Sequence, residues 1–287
     1  MERGQIIASF GRRYLVELPG EAPLDCVPRG KRVALACGDE VEIARTGAGQ
    51  GVIEKLLERR SLLYRADRYR QKLLAANVTR VIIVVAPAPP WHEDLVNRCL
   101  AAVEHGRIRA LIALNKSDLP GAAEAEAKLR IYRDLGYPVV AFSAKRDVGP
   151  LRQYLERETS VLVGQSGMGK STIINALLPD ASARIAELSR ALGSGKHTTT
   201  HARLYHLDAA SHVIDSPGLQ EFGLHHIEPH DLESAFVEFR PLLGHCRFRD
   251  CRHVTEPGCA LTAASERGEI AEGRLASYRE LMRHCKP

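Results

Sequence analysis

The pattern of apolar and polar positions divides the chain into three stretches. In the first, residues 4–56, short apolar runs alternate with turns rich in Gly and Pro, and no long helical period is present. This pattern is typical of a small β-barrel or sandwich. The strands predicted here include 5–10, 14–18, 32–36 and 41–44.

From about residue 78 onward, apolar and often β-branched runs alternate with stretches of helical periodicity. The predicted strands are 78–86, 109–114, 139–143 and 161–163. The predicted helices lie near 93–105, 122–135, 148–157 and 170–178. This alternation predicts βαβ units and a parallel sheet covered on both faces. After about residue 231, helix-like pieces surround a group of cysteines.

The composition, 45% hydrophobic and 26% charged in 287 residues, argues against a wholly disordered chain. The most apolar run, residues 81–85, is far shorter than the roughly 20 residues of a membrane span. Residues 1–13 lack the apolar core of a secretory signal peptide. These features predict a cytoplasmic protein without a membrane partner. We also expect the protein to be a monomer.

The net charge of +5 is unevenly distributed along the chain. Residues 1–72 carry a net +4, residues 73–239 a net −2 and residues 240–287 a net +3. Three of the seven cysteines also fall in one short segment near the C-terminus. We therefore predict three domains, with boundaries at 1–72, 73–230 and 231–287.

A phosphate-binding loop is the most specific motif in the sequence. Residues 164–171 fit the pattern G-x-x-x-x-G-K-[ST], with an apolar strand before them and an apolar-periodic helix after them. The backbone N–H groups of the loop are expected to surround phosphates at a helix N-terminus. Lys170 is expected to reach the β- and γ-phosphates, and Ser171 to bind Mg²⁺. The predicted nucleotide contacts are Gly164, Gln165, Ser166, Gly167, Met168, Gly169, Lys170, Ser171 and Thr172.

Two further motifs follow predicted strands and favour guanine as the base. The first, N-K-S-D, resembles the guanine motif of GTPases, and its Asp118 can accept hydrogen bonds from guanine N1–H and NH₂. Adenine would leave that acid unpaired, a strong basis for discrimination. The second resembles the S-A-K motif of the same proteins. The residues concerned are Asn115, Lys116, Ser117 and Asp118, then Ser143, Ala144 and Lys145.

The segment D-S-P-G resembles the D-x-x-G motif of GTPases, in which the Asp holds the Mg²⁺ shell and the Gly amide senses the γ-phosphate. The corresponding residues here are Asp215 and Gly218. In Ras-like GTPases the phosphate loop precedes the guanine motifs, whereas here it follows them. The order is thus a circular permutation, which preserves the site because ligands bind beyond the carboxyl ends of the strands.

A metal site is predicted near the C-terminus, in the order Cys246, Cys251, His253 and Cys259. Three thiolates and one imidazole suit a closed, tetrahedral structural Zn²⁺ site. Such a site would supply about 10–16 kcal/mol of folding free energy to a polar segment. The alternative is three buried cysteines beside a surface histidine, and His245 is a competing ligand.

The motif order, the basic β-rich start and the Cys/His end together resemble the bacterial small-ribosomal-subunit-dependent GTPases, the YjeQ/RsgA family. The resemblance includes G-K-H-T-T-T at 195–200 and C-R-F-R-D-C-R-H at 246–253. It implies a multidomain fold in which a circularly permuted α/β GTPase domain is flanked by an N-terminal OB-fold β-barrel and a mainly helical zinc-binding domain. It also implies a GTPase that binds the 30S subunit and its 16S rRNA, is stimulated by them, and acts in late maturation or quality control. Met168 and Ser216 depart from the family pattern without removing a catalytic atom.

The catalytic water needs a positioning group, which Ras-like GTPases supply as a Gln just after D-x-x-G. Leu219 occupies that position here, and Gln220 follows it. The family resemblance implies His197 instead, and Thr199 as a Mg²⁺ contact. Two alternatives remain: Gln220 positions the water, or His197 is an exposed loop histidine with no catalytic role.

Two basic groups are candidate RNA contacts. The first, with Tyr64 and Tyr69 interleaved, comprises Arg59, Arg60, Arg65, Arg68, Arg70 and Lys72. The second, beside the metal ligands, comprises Arg247, Arg249 and Arg252. Phosphate contact and base stacking are the expected chemistry, and a solvated charged linker is the alternative.

Two other functions remain open on the sequence. A P-loop kinase or ATPase is opposed by Asp118. A GTP-sensing zinc/OB RNA-binding scaffold with little turnover is consistent with Leu219.

We predict that His197→Ala retains GTP affinity and loses subunit-stimulated turnover, because the imidazole would position water without holding the nucleotide. Nucleotide binding and single-turnover hydrolysis with 30S subunits measure the two effects. Unchanged stimulated turnover would exclude this role.

Overall fold

The computed structural model describes residues 1–30, 34–66, 71–178, 202–215 and 227–284. The side chains of residues 64–66, 71, 72 and 284 lie outside that description. Within these ranges, no helix combines the length and apolar character needed to cross a lipid bilayer.

The first five strands form a closed barrel. They are β1 (Glu2–Phe10), β2 (Arg13–Glu17), β3 (Leu24–Pro28), β4 (Glu40–Gly47) and β5 (Gln50–Leu56). They pair in the order β1-β2-β3-β5-β4, and β4 returns to pair with β1. Only β3 and β5 run parallel in these pairings. The barrel core includes the fully buried Ile6, Val16 and Ile43. This five-stranded, OB-like closure confirms the barrel prediction.

The predicted strand at 32–36 is wrong over its described part, since Ala34–Ala36 is not in a strand. The buried Asp39 carboxylate accepts the Ala36 N–H at 2.7 Å. Arg59 binds both carboxylate oxygens of Asp39 at 2.7 Å and also reaches the Ala34 carbonyl. Side chains therefore satisfy the backbone groups that strand pairing would otherwise use.

A separate hairpin connects the barrel to the next sheet. It consists of β6 (Leu62–Ala66) and β7 (Gln71–Ala76), and the predicted boundary at 72/73 lies inside β7. Asn77 fixes the hairpin to the barrel by donating to the Gly38 carbonyl at 2.9 Å. A Cβ on Gly38 would lie 2.2 Å from the Ala76 carbonyl oxygen, so this contact requires glycine.

The middle of the chain forms an α/β layer structure. Its strands are β8 (Arg80–Val85), β9 (Arg109–Leu114), β10 (Val139–Ala141), β11 (Thr159–Val163), β12 (Arg203–His206) and β13 (His212–Asp215). Its helices are α1 (Glu93–His105), α2 (Ala122–Asp134), α3 (Gly149–Arg152) and α4 (Lys170–Leu177). The helix predicted at 148–157 is shorter, because Leu155 N–H bonds back only three residues, to the Arg152 carbonyl.

The sheet has the order β10-β9-β8-β11-β13-β12. The first five strands are parallel, and β12 is antiparallel to β13. Alternate residues of β8 enter different cores: Ile83 packs with α1 and Ile82 with α4. The parallel sheet covered on both faces is thus confirmed. At its far edge β12 pairs with β1 through Arg203 and Ala8, which joins the barrel to the sheet.

The last part of the described chain is mainly helical. It contains α5 (Pro229–Ser234), a 3₁₀ helix (Val237–Leu242), α6 (Ala260–Glu266) and α7 (Glu272–His284). Phe236, Phe239 and Tyr278 form its aromatic centre, with ring centroids 4.9–5.5 Å apart. The predicted boundary at 230/231 lies inside α5.

A buried polar network attaches these helices to α1. Arg274 on α7 is 2% exposed and binds the Glu238 carboxylate at 2.6 and 2.9 Å. It also donates to Asn97 on α1 at 3.1 Å, and the Asn97 amide donates to Ser277 at 2.8 Å. Tyr132 on α2 donates to the same Asn97 oxygen at 3.0 Å. One asparagine thus joins three helices.

We predict that Arg274→Met lowers the free energy of unfolding by about 3–5 kcal/mol, because it leaves the buried Glu238 carboxylate unpaired. Arg283→Met on the same helix is the matched control. Its pair with Glu280 is exposed, so the change should stay within about 1 kcal/mol. Denaturant titration measures both, and equal effects would contradict the prediction.

Candidate nucleotide site and metal centre

The predicted nucleotide motifs meet at one edge of the sheet. In the parallel register Val85 lies opposite Leu114, Leu114 opposite Ala141, and Val161 opposite Ile214. The segments that follow these strands therefore leave the sheet side by side. This places N-K-S-D, S-A-K, the phosphate loop and Asp215 together, although their order along the chain is permuted.

Close backbone packing explains two glycines of the phosphate loop. A Cβ on Gly164, whose φ is +148°, would lie 2.3 Å from the Val84 carbonyl oxygen. A Cβ on Gly169, at φ +91°, would lie 2.3 Å from the Asn115 amide nitrogen. Gly169 also caps the N-terminus of α4, where backbone N–H groups favour an anion.

Asn115 holds two of the predicted loops together. Its Nδ2 donates to the Met168 carbonyl at 2.9 Å, and its Oδ1 accepts the Ala144 N–H at 3.0 Å. The side chain is 2% exposed. Both the nitrogen and the oxygen of the Asn115 side-chain amide therefore bond to the backbone. Asn115 thus positions the phosphate loop and the S-A-K loop relative to each other.

The guanine motifs border a small cavity. It measures about 140 Å³, and Ser143, Thr172 and Leu119 are among its lining residues. Leu119 carries no motif signal in the sequence, since it follows N-K-S-D by one position. Lys116 has a left-handed backbone (φ +61°) and donates its Nζ to the Ala88 carbonyl at 2.7 Å.

Asp118 lies on the same cavity and is held in its charged form. A hydrogen bond from the Ser143 side chain is the main cause that lowers the pKa of Asp118. Arg146, at 3.7 Å, adds an opposite charge. An ionised carboxylate accepts hydrogen bonds and cannot donate one. Asp118 can therefore receive the two donors that guanine presents.

Lys170 and Asp215 form the electrostatic centre at the phosphate loop. Burial lowers the pKa of Lys170 and raises that of Asp215, and each charge opposes the shift of the other. Lys170 donates its Nζ to the carbonyls of Gly164 and Gln165 at 2.6 and 2.8 Å. Ser171 is the next residue of α4 and is exposed.

The rest of the predicted catalytic set lies outside the described residues. This applies to His197, Thr199, Gly218, Leu219 and Gln220. Their proposed roles remain predictions from the sequence.

The four predicted metal ligands come together. Their ligand atoms lie within 4.8 Å of one another. His253 Nδ1 is 3.4 Å from Cys246 Sγ, 3.6 Å from Cys251 Sγ and 3.4 Å from Cys259 Sγ. Tetrahedral zinc with ordinary bond lengths would place sulfur and nitrogen about 3.6 Å apart. The geometry therefore fits one tetrahedral ion, and His245, exposed and outside the group, is not a ligand in it.

A residue that sequence reasoning missed orients the histidine. Glu233 on α5 places Oε2 3.2 Å from His253 Nε2, on the side of the ring away from the thiols. Such a carboxylate fixes the ring orientation of a metal-binding histidine. Glu233 lies 20 positions before His253 in the chain, so no local sequence motif indicates that the two residues interact.

The thiol of Cys259 is acidified by its surroundings. Burial raises its pKa, but hydrogen bonds from Thr262, His253 and the Leu261 backbone outweigh burial and lower the pKa of Cys259 to about 7.

The remaining cysteines and the basic residues separate by environment. Cys26, Cys37 and Cys99 are buried in the core, as expected of non-ligands, and Cys285 lies outside the described residues. Arg59, predicted to contact RNA, instead pairs with the buried Asp39. The exposed predicted contacts are Arg60, Arg247, Arg249 and Arg252. Arg68 and Arg70, and the side chains of Arg65 and Lys72, lie outside the described part.

Sequence comparison identifies close relatives. A model of the RsgA GTPase family matches residues 56–225. The chain is 53% identical over 281 residues to the Small ribosomal subunit biogenesis GTPase RsgA of Nitrosospira multiformis, covering 98% of this chain and 90% of that protein. It is 50% identical over 287 residues to the protein of the same name from Nitrosomonas europaea, with coverage of 99% and 91%.

Two solved structures share the fold. The crystal structure of YjeQ from Thermotoga maritima has a TM-score of 0.74 and 31% identity, over 98% of this chain and 97% of that one. The crystal structure of YloQ, described as a circularly permuted GTPase, has a TM-score of 0.73 and 27% identity, over 100% and 96%. The description of YloQ agrees with the permuted motif order of this chain.

We predict that Glu233→Gln weakens metal binding about 10- to 100-fold, because the histidine loses its charged acceptor. Competition with a chromogenic chelator measures the affinity. Glu266→Gln, an exposed carboxylate on α6, is the control and should leave the affinity unchanged. If the two variants behaved alike, Glu233 would have no part in the centre.

Proposed function

Because the chain belongs to the RsgA GTPase family, we propose that it binds and hydrolyses GTP during biogenesis of the small ribosomal subunit. The observation that carries the proposal is the convergence of N-K-S-D, S-A-K and the phosphate loop, joined by Asn115. Its relatives carry the same role in their names. The ligands are GTP and GDP, and the partner is the 30S subunit.

Guanine specificity follows from Asp118. Its lowered pKa keeps the carboxylate charged, and its position on the cavity lets it accept guanine N1–H and NH₂. Adenine would leave this carboxylate without donors, a mismatch that hydrogen-bonding sites reject strongly. An ATPase or metabolite kinase is therefore the weaker interpretation of the phosphate loop.

Each residue of the site has a distinct task in hydrolysis. The glycines present backbone N–H groups to the phosphates, and Lys170 moves from its carbonyl acceptors to the β- and γ-phosphates. Ser171 and Asp215 would hold Mg²⁺, which neutralises charge that develops on the phosphates. His197 would position the attacking water, and Thr199 and Gly218 would contact the metal and the γ-phosphate.

We further propose that the Cys₃His centre holds one structural Zn²⁺. The sulfur–nitrogen distances of 3.4–3.6 Å and the closed set of four protein ligands support zinc. The centre would stabilise a mainly helical zinc-binding domain beside the OB-like barrel and the GTPase domain. The three-domain organisation predicted from the sequence, 1–72, 73–230 and 231–287, is part of this proposal, although 72/73 and 230/231 fall inside β7 and α5 and so do not mark the ends of elements. The protein would act as a cytoplasmic monomer.

The surface that meets 16S rRNA would use basic residues from both ends of the chain. Arg60, Arg247, Arg249 and Arg252 are exposed and support this role. Arg65, Arg68, Arg70 and Lys72 are retained on the sequence. Arg59 has weaker support from its surroundings, because its guanidinium is paired with the buried Asp39 carboxylate. Phosphate contacts of this kind make subunit affinity fall steeply with salt.

We predict slow GTP hydrolysis by the free chain and faster hydrolysis with 30S subunits. Leu219 cannot orient water, so the partner would complete the site, and such completion accelerates GTPases by up to about 10³–10⁵-fold. Phosphate release with and without purified 30S subunits measures the effect. Tight GTP binding without stimulated turnover would favour a GTP-sensing scaffold instead.

We predict that Asp118→Asn weakens GTP binding, which would show that the hydrolysed GTP occupies the predicted site. Loss of hydrogen bonds to a charged acceptor should cost about 1.5–3 kcal/mol of GTP affinity. Asp134→Asn, which changes an exposed carboxylate at the end of α2, is the matched control and should bind GTP normally. Equal affinity of ATP and GTP for the unsubstituted chain would contradict guanine specificity.

A further inference from the structure

Phe248 lies on the surface in an unusual setting. Its side chain is 42% exposed, and among the phenylalanines, tyrosines and tryptophan whose side chains the structure describes it alone is exposed. It stands between two metal ligands, Cys246 and Cys251, at the tip of a short loop. An exposed aromatic ring loses the stabilisation that burial would give it, and exposed apolar surface of this kind can mark a site of interaction with a partner.

The loop of residues 246–251 holds this ring in a defined place. Both ends of the loop are metal ligands. The Arg247 N–H donates to the Gly258 carbonyl at 3.1 Å, and the Cys251 N–H donates to the Phe248 carbonyl at 3.4 Å. A Cβ on Gly258 would lie 2.9 Å from Arg247 Cβ, so the backbone at residue 258 packs closely against the start of the loop. A ring presented by such a loop pays little ordering entropy on binding.

The surroundings of the ring are cationic. The Arg247 guanidinium carbon lies 5.5 Å from the ring centroid. Arg249 and Arg252 are also exposed, and these three arginines form no ion pair within the described ranges of the chain. Asp250 is the single acidic residue between Cys246 and Cys251. The patch therefore combines one flat apolar face with a net positive charge.

We propose that Phe248 stacks on an unpaired base of the small-subunit RNA while the adjacent arginines contact its phosphates. This proposal rests on the proposed function and adds a base-stacking residue to it. Unpaired bases expose flat faces that aromatic side chains stack on, whereas bases within a helix are covered by their neighbours. A protein partner would have to supply both an apolar pocket for the ring and acidic groups for the flanking arginines, whereas single-stranded RNA presents a base and a phosphate in every nucleotide.

The test measures binding of the full chain, loaded with a non-hydrolysable GTP analogue, to purified 30S subunits over a series of salt concentrations. Phe248→Leu keeps apolar volume and removes the ring, so affinity should fall roughly 5- to 150-fold. The slope of affinity against salt should not change. Phe248→Trp retains a stacking face and should bind like the unsubstituted chain. Metal content confirms that each variant keeps its centre.

Arg249→Gln is the matched variant for charge in the same loop. It should weaken binding and reduce the salt slope by about 1, because it removes one phosphate contact. Ultraviolet crosslinking of the Phe248→Trp variant should join position 248 to an unpaired rRNA nucleotide.

Three outcomes would overturn the proposal. Unchanged affinity of Phe248→Leu would show that the ring is not used for stacking. A crosslink from position 248 to a ribosomal protein would identify a protein contact instead. Absence of 30S binding by the unsubstituted chain would overturn the proposed function as well, so the two failures are distinguishable.

Discussion

Parallel hydrogen bonding of β11 between β8 and β13 is the constraint on which the site depends. β8 ends about 80 residues before the phosphate loop begins, and β13 begins about 40 residues after the loop ends. Because all three strands point the same way, whatever follows each strand lies at one edge of the sheet. The order of the motifs along the chain then ceases to matter. A permuted sequence can build the same arrangement of loops as an unpermuted one.

Single buried amide side chains connect parts that are distant in sequence. Asn115 joins the phosphate loop to the S-A-K loop, and Asn97 joins α1 and α2 to α7. A buried amide left unpaired is costly, so each such residue specifies one arrangement of its neighbours. The first fixes the shape of the nucleotide site. The second fixes the position of the C-terminal helices on the GTPase domain, so the metal centre is held at a set place relative to the sheet.

The candidate metal ligands lie in a segment with little apolar surface. Residues 246–258 contain arginines, turns and one exposed phenylalanine, and three of the four converging ligands lie among them. Neighbouring helices contribute to this group, since Cys259 is the N-cap residue of α6 and Glu233 comes from α5. A small loop fixed in this way can display side chains to a partner without a core of its own.

The sequence by itself determined the elements and the chemistry. Hydrophobic periodicity predicted four of the five parallel strands, the barrel and most helices, because side-chain spacing reports local geometry directly. Motif spacing predicted the nucleotide loops and the metal ligands. Hydrophobic periodicity failed at 34–36, the described part of the strand predicted at 32–36, where Asp39 and Arg59 bind backbone groups of an apolar run.

Only the tertiary structure decided which polar residues serve structure and which remain available to a partner. Arg59 and Arg249 are alike in sequence, yet one is held by a buried carboxylate and the other is exposed. Glu233 and Asn97 acquire their roles from residues 20 and 177 positions away. The physical reason is that burial and pairing are properties of neighbours in space, and neighbours in space are set by how the elements pack.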